Sequence, residues 1–190
     1  MVRPKAFDEE QALDAAMRAF WASGYAGTST EDLFVATGLG RSSVYNTFTS
    51  KRDLFVAALR RYAEQKTATA AEVLEGARPV REKVRDIVWF SVDPDPADPL
   101  GCLVVNSMVE LGPVDPEVAA LLRRDNDHRL ELLRTAFAVA MAAGEIDAGR
   151  DPLALANFVV ATISGLRVMA RGGTDRAVLE SVAETALAAL

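Results

Sequence analysis

Thr37-Gly38-Leu39-Gly40-Arg41-Ser42-Ser43-Val44-Tyr45-Asn46-Thr47-Phe48 and, one residue further, Ser50-Lys51-Arg52-Asp53-Leu54-Phe55 decide how this chain is read. Just upstream, Thr30 is placed to cap a short helix whose first turn carries Glu31 and Asp32, acids that suit the positive end of a helix dipole, with Leu33 and Ala36 on its inner face. Gly38 follows the last helical residue, where a left-handed backbone costs glycine little, and Leu39 in the turn points toward the core. A second helix then starts within about three residues, the turn length of a helix-turn-helix. It turns Gly40, Arg41, Ser42, Ser43, Tyr45, Asn46 and Thr47 outward while Val44 and Phe48, four apart, face in.

Small and hydroxylated side chains let such a helix sit deep in the major groove of duplex DNA. Arg41 suits a paired donor contact to guanine, Asn46 suits adenine or a phosphate, and Ser42 and Ser43 suit either role. Tyr45 and Lys51 are better placed for phosphate. Ser50 caps the following helix with Asp53 three residues on, so the unpaired amides near Lys51 and Arg52 offer a phosphate seat.

Residues from about Phe7 to Leu59 resemble the N-terminal domain of the TetR/AcrR family of transcriptional regulators. The resemblance rests on Phe7 with Ala12, Ala15 and Phe20, on Gly24-Tyr25 and Thr28-Ser29, on Gly38, on Val44-Tyr45 with Phe48, and on Lys51 with Leu54-Phe55. It covers a little over a quarter of the chain. It implies that Arg41, Ser42, Ser43, Tyr45 and Asn46 are groove or backbone contacts and that Thr28 and Lys51 hold phosphates.

The net charge of the 190 residues is -6, which argues against DNA until it is divided along the chain. Residues 1–66 carry 9 Lys/Arg against 8 Asp/Glu, whereas 67–190 carry 12 against 19. Within 38–66, Arg41, Lys51, Arg52, Arg60, Arg61 and Lys66 outnumber Asp53 and Glu64, and such a patch predicts salt-sensitive binding. Cys102 and His128 are each the only residue of their type, so neither an internal disulfide nor a Cys/His zinc cluster can form, and no cofactor is expected. Arg3, Lys5, Asp8, Glu9 and Glu10 break any apolar leader, and the uncharged run 152–166 is shorter than the roughly 18 residues a membrane span needs. A cytoplasmic protein with no membrane partner is expected.

The remaining periodicity predicts an all-α chain of about nine helices. A first helix over 8–23 carries Leu13, Ala16, Met17, Phe20 and Trp21 on one stripe and ends at Gly24; a long one runs over 51–75. Others are expected over 79–91, over 100–111 and over 115–143, the last with Val118, Leu122, Leu130, Leu133, Phe137 and Met141 inside. Asp93-Pro94-Asp95-Pro96-Ala97-Asp98-Pro99 is a loop, since its prolines forbid helix and strand. Asp151-Pro152 starts a helix to about 172 that is apolar almost all round, and Thr174 is placed to cap the final one. The expected division is a helix-turn-helix DNA-binding domain over 1–50, a connecting helix over 51–76 and a helical effector-binding and dimerisation domain over 77–190.

Nothing C-terminal in the chain remains to cover the last two helices, so the simplest cover is the same pair from a second copy. Phe158, Val159, Ile163, Leu166, Val178, Leu179, Val182 and Leu187 are its expected contacts. A four-helix dimer interface, which the family resemblance also implies, spaces two reading helices about 34–36 Å apart for a near-palindromic operator. The resemblance further implies a small-molecule effector pocket in the second domain, with Trp89, Phe90, Cys102, Asn106, Met108, Val109, Asn126, Phe137, Met141, Phe158 and Thr162 as candidate lining, and release of a repressor from DNA on binding. Each of these residues is better explained as ordinary core than as a ligand contact, and Cys102 as a small buried hydrophobe rather than a thiol sensor. Two other readings are an enzyme using Glu110, Asp127 and His128 as acid and base groups, and a helical interaction module without sequence-specific reading. The first lacks any recognisable constellation or phosphate loop; the second is distinguished by binding that responds to salt but not to sequence.

Overall fold

The computed structural model describes residues 5–39 and 48–190, with side chains from residue 9 on. Among the described residues there are eight helices and no strand: α1 Lys5–Gly27, α2 Thr30–Thr37, α3 Lys51–Glu75, α4 Val80–Val92, α5 Leu103–Glu110, α6 Pro116–Ala142, α7 Pro152–Arg171 and α8 Arg176–Ala188. The expected helix that begins near Gly40 lies outside the described residues.

Sequence dictates most of the boundaries. Asp115 and Asp151 each accept from amides of the first turn, with Pro116 and Pro152 at the first helical position where no amide is needed. Ser50 accepts from Asp53 N at 3.1 Å, as expected. Two caps differ. Ser29, not Thr30, caps α2: its hydroxyl accepts from Asp32 N at 3.1 Å while the Asp32 carboxylate accepts from Ser29 N at 2.8 Å. The reciprocal pair requires an acid three residues on, and three residues after Thr30 stands Leu33. Thr174 likewise does not cap α8, because its amide donates to Met169 O and so belongs to the end of α7. Gly24 interrupts α1 with φ +78°, a conformation that favours glycine, and a Cβ there would lie 2.9 Å from Glu110 Oε2 and displace that carboxylate.

Two clusters form the interior. One joins Phe20, Trp21, Leu33, Phe55, Leu59 and Tyr62 to Cys102, Leu103, Val104, Val118, Leu121 and Leu122, so the N-terminal helices share their core with α5 and the start of α6. The other gathers Val84, Val88, Leu133, Phe137, Val159, Leu166 and Leu179 from α4, α6, α7 and α8. By length and composition α7 could cross a membrane. Here Leu155, Ala156, Val159 and Leu166 are buried in the fold, and Arg167 and Arg171 near its end donate to backbone carbonyls.

The expected dimer contacts divide accordingly. Val159, Leu166 and Leu179 are buried in the chain's own second cluster, and Ile163 and Leu187 pack on it. The reason is that α7 is sandwiched by α4, α6 and α8, a cover the apolar pattern alone could not reveal. Phe158, Val178 and Val182 remain exposed, joined on α7 by Ala154, Ala161, Gly165 and Val168, which continue one stripe at helical spacing.

Phe20 has no exposed surface and lies edge-on to Phe55, with ring centroids 5.1 Å apart. Phe20→Ala is expected to lower unfolding free energy by about 3–5 kcal/mol in chemical denaturation, because a fully enclosed aromatic leaves a cavity its rigid neighbours cannot fill.

Candidate nucleic-acid interface and ligand cavity

The turn after α2 has the expected form. Gly38 takes φ +65° as the left-handed end of the helix, and Leu39 and Phe48 pack against the first cluster, fixing where the intervening residues begin and end. Arg41, Ser42, Ser43, Tyr45 and Asn46 lie outside the described residues. Lys51 opens α3 with Nζ 4.4 Å from the centroid of the Tyr25 ring, half-buried and at a helix N-terminus. Thr28 is placed differently from expectation. It is buried, and its hydroxyl donates to Gly24 O at 2.7 Å, because the break at Gly24 leaves that carbonyl without its helical partner.

The basic patch is also smaller than its sequence count. Arg52 grips Asp115 through two hydrogen bonds, 2.8 and 2.9 Å, and reaches Glu117 at 2.9 Å; Arg61 pairs with Asp14; Lys66 pairs with Asp98 at 3.2 Å. These cations are partly neutralised within the fold, an arrangement invisible until acids distant in sequence are brought beside them.

Several contacts fasten the N-terminal helices to the rest of the chain. The Glu110 carboxylate at the end of α5 accepts from Tyr25 N at 2.9 Å and Ala26 N at 2.6 Å, satisfying amides left open by the Gly24 break. Arg171 donates to Trp21 O at 3.2 Å and Ala22 O at 3.0 Å, and Arg18 to Ala97 O at 2.9 Å. Glu110 thus has a structural partner on the backbone, while Asp127 and His128 stand exposed on α6 with no shared geometry, leaving the acid–base alternative without a site.

A cavity of about 310 Å³ lies between α3, α4, α7 and the 93–102 segment, with Trp21 of α1 in its wall. Of the expected lining, only Phe90 and Cys102 border it. Phe137 is fully enclosed core, Trp89 and Met141 pack on that core, and Asn106 lies off this wall with its amide nitrogen buried. Val109 and Phe158 face outward, Asn126 and Met108 border a separate depression between α5 and α6, and Thr162 donates to Phe158 O of its own helix. The sequence reading missed the residues contributed by α1 and α3, namely Trp21, Tyr62, Lys66 and Thr67, and the charged wall of Asp125, Arg129 and Arg167. The signal was the alanine-rich stretch of α3: Ala63 and Ala70 are too small to fill the space beside them.

Trp21, Tyr62 and Ser91 border the cavity; Trp21 Nε1 and Ser91 Oγ are buried without a hydrogen-bond partner, and the Tyr62 hydroxyl is buried beside Cys102 and the Leu103 backbone. Asp125 accepts from Thr67 Oγ1 at 3.1 Å and pairs with Arg129 at 3.0 Å, so it bridges α3 and α6 at the cavity's edge. Burial pushes the Asp125 carboxyl above its ordinary value, against the opposing pull of Arg129, the Thr67 hydroxyl and His128.

Since the folded state holds that proton more tightly than the unfolded state, this group's contribution to stability declines as pH rises from about 4 through the raised value. Asp125→Asn is expected to flatten that part of the stability profile measured by denaturation across pH. Glu110→Ala is expected to cost about 1–3 kcal/mol through its two abandoned amides. Hydrogen exchange should then quicken at Tyr25 and Ala26 before it does in α6.

A family model described as "Bacterial regulatory proteins, tetR family" matches residues 12–58, and one described as "Tetracyclin repressor-like, C-terminal domain" matches residues 87–186. The helix-turn-helix-type transcriptional regulator YezE of Bacillus subtilis (strain 168) is 33% identical over 193 residues, spanning 100% of both chains. The helix-turn-helix-type transcriptional repressor ComR of Escherichia coli (strain K12) is 33% identical over 97% of this chain and 90% of its own length. Among solved structures, a cysteine mutant of the TetR family transcriptional regulator CifR, complexed with 26-bp double-strand operator DNA, is 34% identical with a TM-score of 0.86, covering 98% of this chain and 99% of that one. With both ends of the chain matched by family models and relatives a third identical along its whole length, the protein belongs to the TetR family of bacterial transcriptional regulators.

Proposed function

We propose that this chain is a cytoplasmic, homodimeric repressor that leaves a near-palindromic operator when a small molecule enters the cavity beside Trp21. The observation that carries the reading is the position of Trp21 and Tyr62, each of which packs in the cluster that holds the helix-turn-helix and also borders the cavity. A ligand there touches the DNA-reading unit itself. Occupancy that shifts α1 or α3 alters the angle at which the two copies present their reading helices, and the size of the effect is bounded by the ligand's differential affinity for the two arrangements.

In this reading Arg41, Ser42, Ser43, Tyr45 and Asn46 contact the groove and its rim, while Lys51 and the amides around Ser50 hold phosphate; Thr28 acts from inside by setting the end of α1. Residues 1–50 form the reading unit, 51–76 the connecting helix and 77–190 the effector-binding and dimerisation unit. The repressor sign is supported by ComR, a repressor, and DNA binding by CifR, solved on its operator. The stripe of Phe158, Val168, Val178 and Val182 is the surface a second copy would cover.

Gel shifts against the chain's own upstream DNA test this. Arg41→Ala is expected to weaken binding by about 1–3 kcal/mol, the cost of a lost paired base contact, with relaxed preference at one base pair. Lys51→Ala should instead weaken all sequences alike and reduce the salt slope by about 1. Val182→Glu is expected to convert the dimer to monomer in light scattering and to abolish operator binding. A monomeric wild type, or binding that ignores sequence in every duplex tried, overturns the proposal.

A further inference from the structure

We propose that the effector is a small apolar monocarboxylic acid, its carboxylate held by Arg167, Tyr62 Oη and Trp21 Nε1. The inference rests on the cavity being the effector site and adds the chemistry of what enters it.

Three observations carry it. First, the polar groups left open at the cavity are biased toward donation. The Trp21 indole N–H can only donate, and it is buried without a partner; the Tyr62 hydroxyl is buried near it beside Cys102 and Leu103, with ring centroids 4.8 Å apart. Burial pushes the Tyr62 phenol far above its ordinary value, so it keeps its proton to give. A buried donor without an acceptor is costly, and a ligand oxygen that reaches the indole N–H removes that cost.

Second, the cations and carboxylates of the wall pair off except for Arg167 and the exposed Asp95. Lys66 lies on Asp98 at 3.2 Å, Arg129 on Asp125 at 3.0 Å, and Asp93 on Arg176 at 3.1 Å. Asp95 is exposed at the mouth, its carboxylate accepting from Ala97 N. Among the described residues Arg167 is the cavity cation with no carboxylate partner; it donates to Gly101 O at 3.3 Å, and its charge acts on Tyr62. A positive charge without a carboxylate partner, beside the open indole N–H and the Tyr62 hydroxyl, suits one carboxylate, which accepts at both oxygens. A cationic ligand would be repelled there, and an uncharged one would leave Arg167 unmatched.

Third, the other walls are apolar: Ile87, Phe90, Val104, Val105, Ile163 and Ala170. A volume of about 310 Å³ sits at the small end of ligand pockets, so the acid carries a short hydrocarbon or single-ring body.

The test uses the full-length protein with 4-phenylbutyrate, its amide and the corresponding amine, read by isothermal titration and by anisotropy of labelled upstream DNA. The acid is expected to bind at least about tenfold more tightly than the amide, as a charge-assisted contact requires, and the amine least. Arg167→Gln should remove that preference while leaving amide affinity unchanged, Arg167→Lys should restore part of it, and Tyr62→Phe should weaken the acid severalfold. Thermal melts show whether each variant is folded; should Arg167→Gln fail to fold, the wild-type ligand series and Tyr62→Phe decide. Equal binding of acid and amide, no binding of the acid, or an acid preference that survives in folded Arg167→Gln overturns the proposal. If the acid binds as described but leaves DNA bound, the effector reading falls and the carboxylate site stands. If the amide or amine releases DNA and Ser91→Trp, which fills the cavity, prevents it, the effector reading stands and the carboxylate falls.

Discussion

Trp21 packed edge-on against Tyr62, with the Lys66 ammonium 5.1 Å from the indole centroid and 5.6 Å from the phenol ring, joins the first helix to the third where the reading unit and the cavity share a wall. Both aromatic side chains are almost wholly buried, so each contributes on the order of the full burial energy of a large side chain to a core that continues into α5 and α6. Because that core is continuous, the N-terminal helices cannot tilt freely about a linker. Any movement that repacks Trp21 or Tyr62 is felt at Phe20, Phe55 and Leu33, which seat α2 and the turn at Gly38.

The polar clamps around this core act in a different way. Arg52 on Asp115, Arg18 on Asp98 and Arg176 on Asp93 are largely solvent-exposed on at least one side, and such pairs contribute little stability each. Their geometry orients rather than stabilises. Glu110 is the exception in kind, since it answers two backbone amides that Gly24 leaves open, and a lost partner there exposes a real desolvation cost. The apolar contacts supply cohesion, and the clamps select which of several close packings is occupied.

What the sequence made legible followed local rules. Gly38 at a helix end, Ser50 with Asp53, Asp115 and Asp151 before proline, and the stripe of Phe20 and Trp21 all depend on neighbours within a few residues, and each took its expected place. Ser29 was passed over for Thr30 because both are good caps and only the register of Asp32 separates them. The cavity was beyond such rules. Its wall is assembled from residue 21, residues 62–70 and residues near 90, 102, 125 and 167, and no periodicity within one helix reports which neighbour will leave a gap. For the same reason Val159, Leu166 and Leu179 read as an interface when they are core: an all-apolar helix announces that it is covered, not by what.

The distribution of charge completes the physical account. The acidic excess of residues 67–190 is not spread evenly; Asp98 pairs with Arg18 and Lys66, while Asp115 and Glu117 meet Arg52 at the start of α3 and answer its charge there. Beside the half-buried Lys51, Asp53 and Asp32 are turned back onto their own caps at Ser50 and Ser29. Even in a chain of net charge -6 the local field is set by the nearest few side chains, because Coulomb forces between exposed groups fade within about 10 Å at ordinary salt.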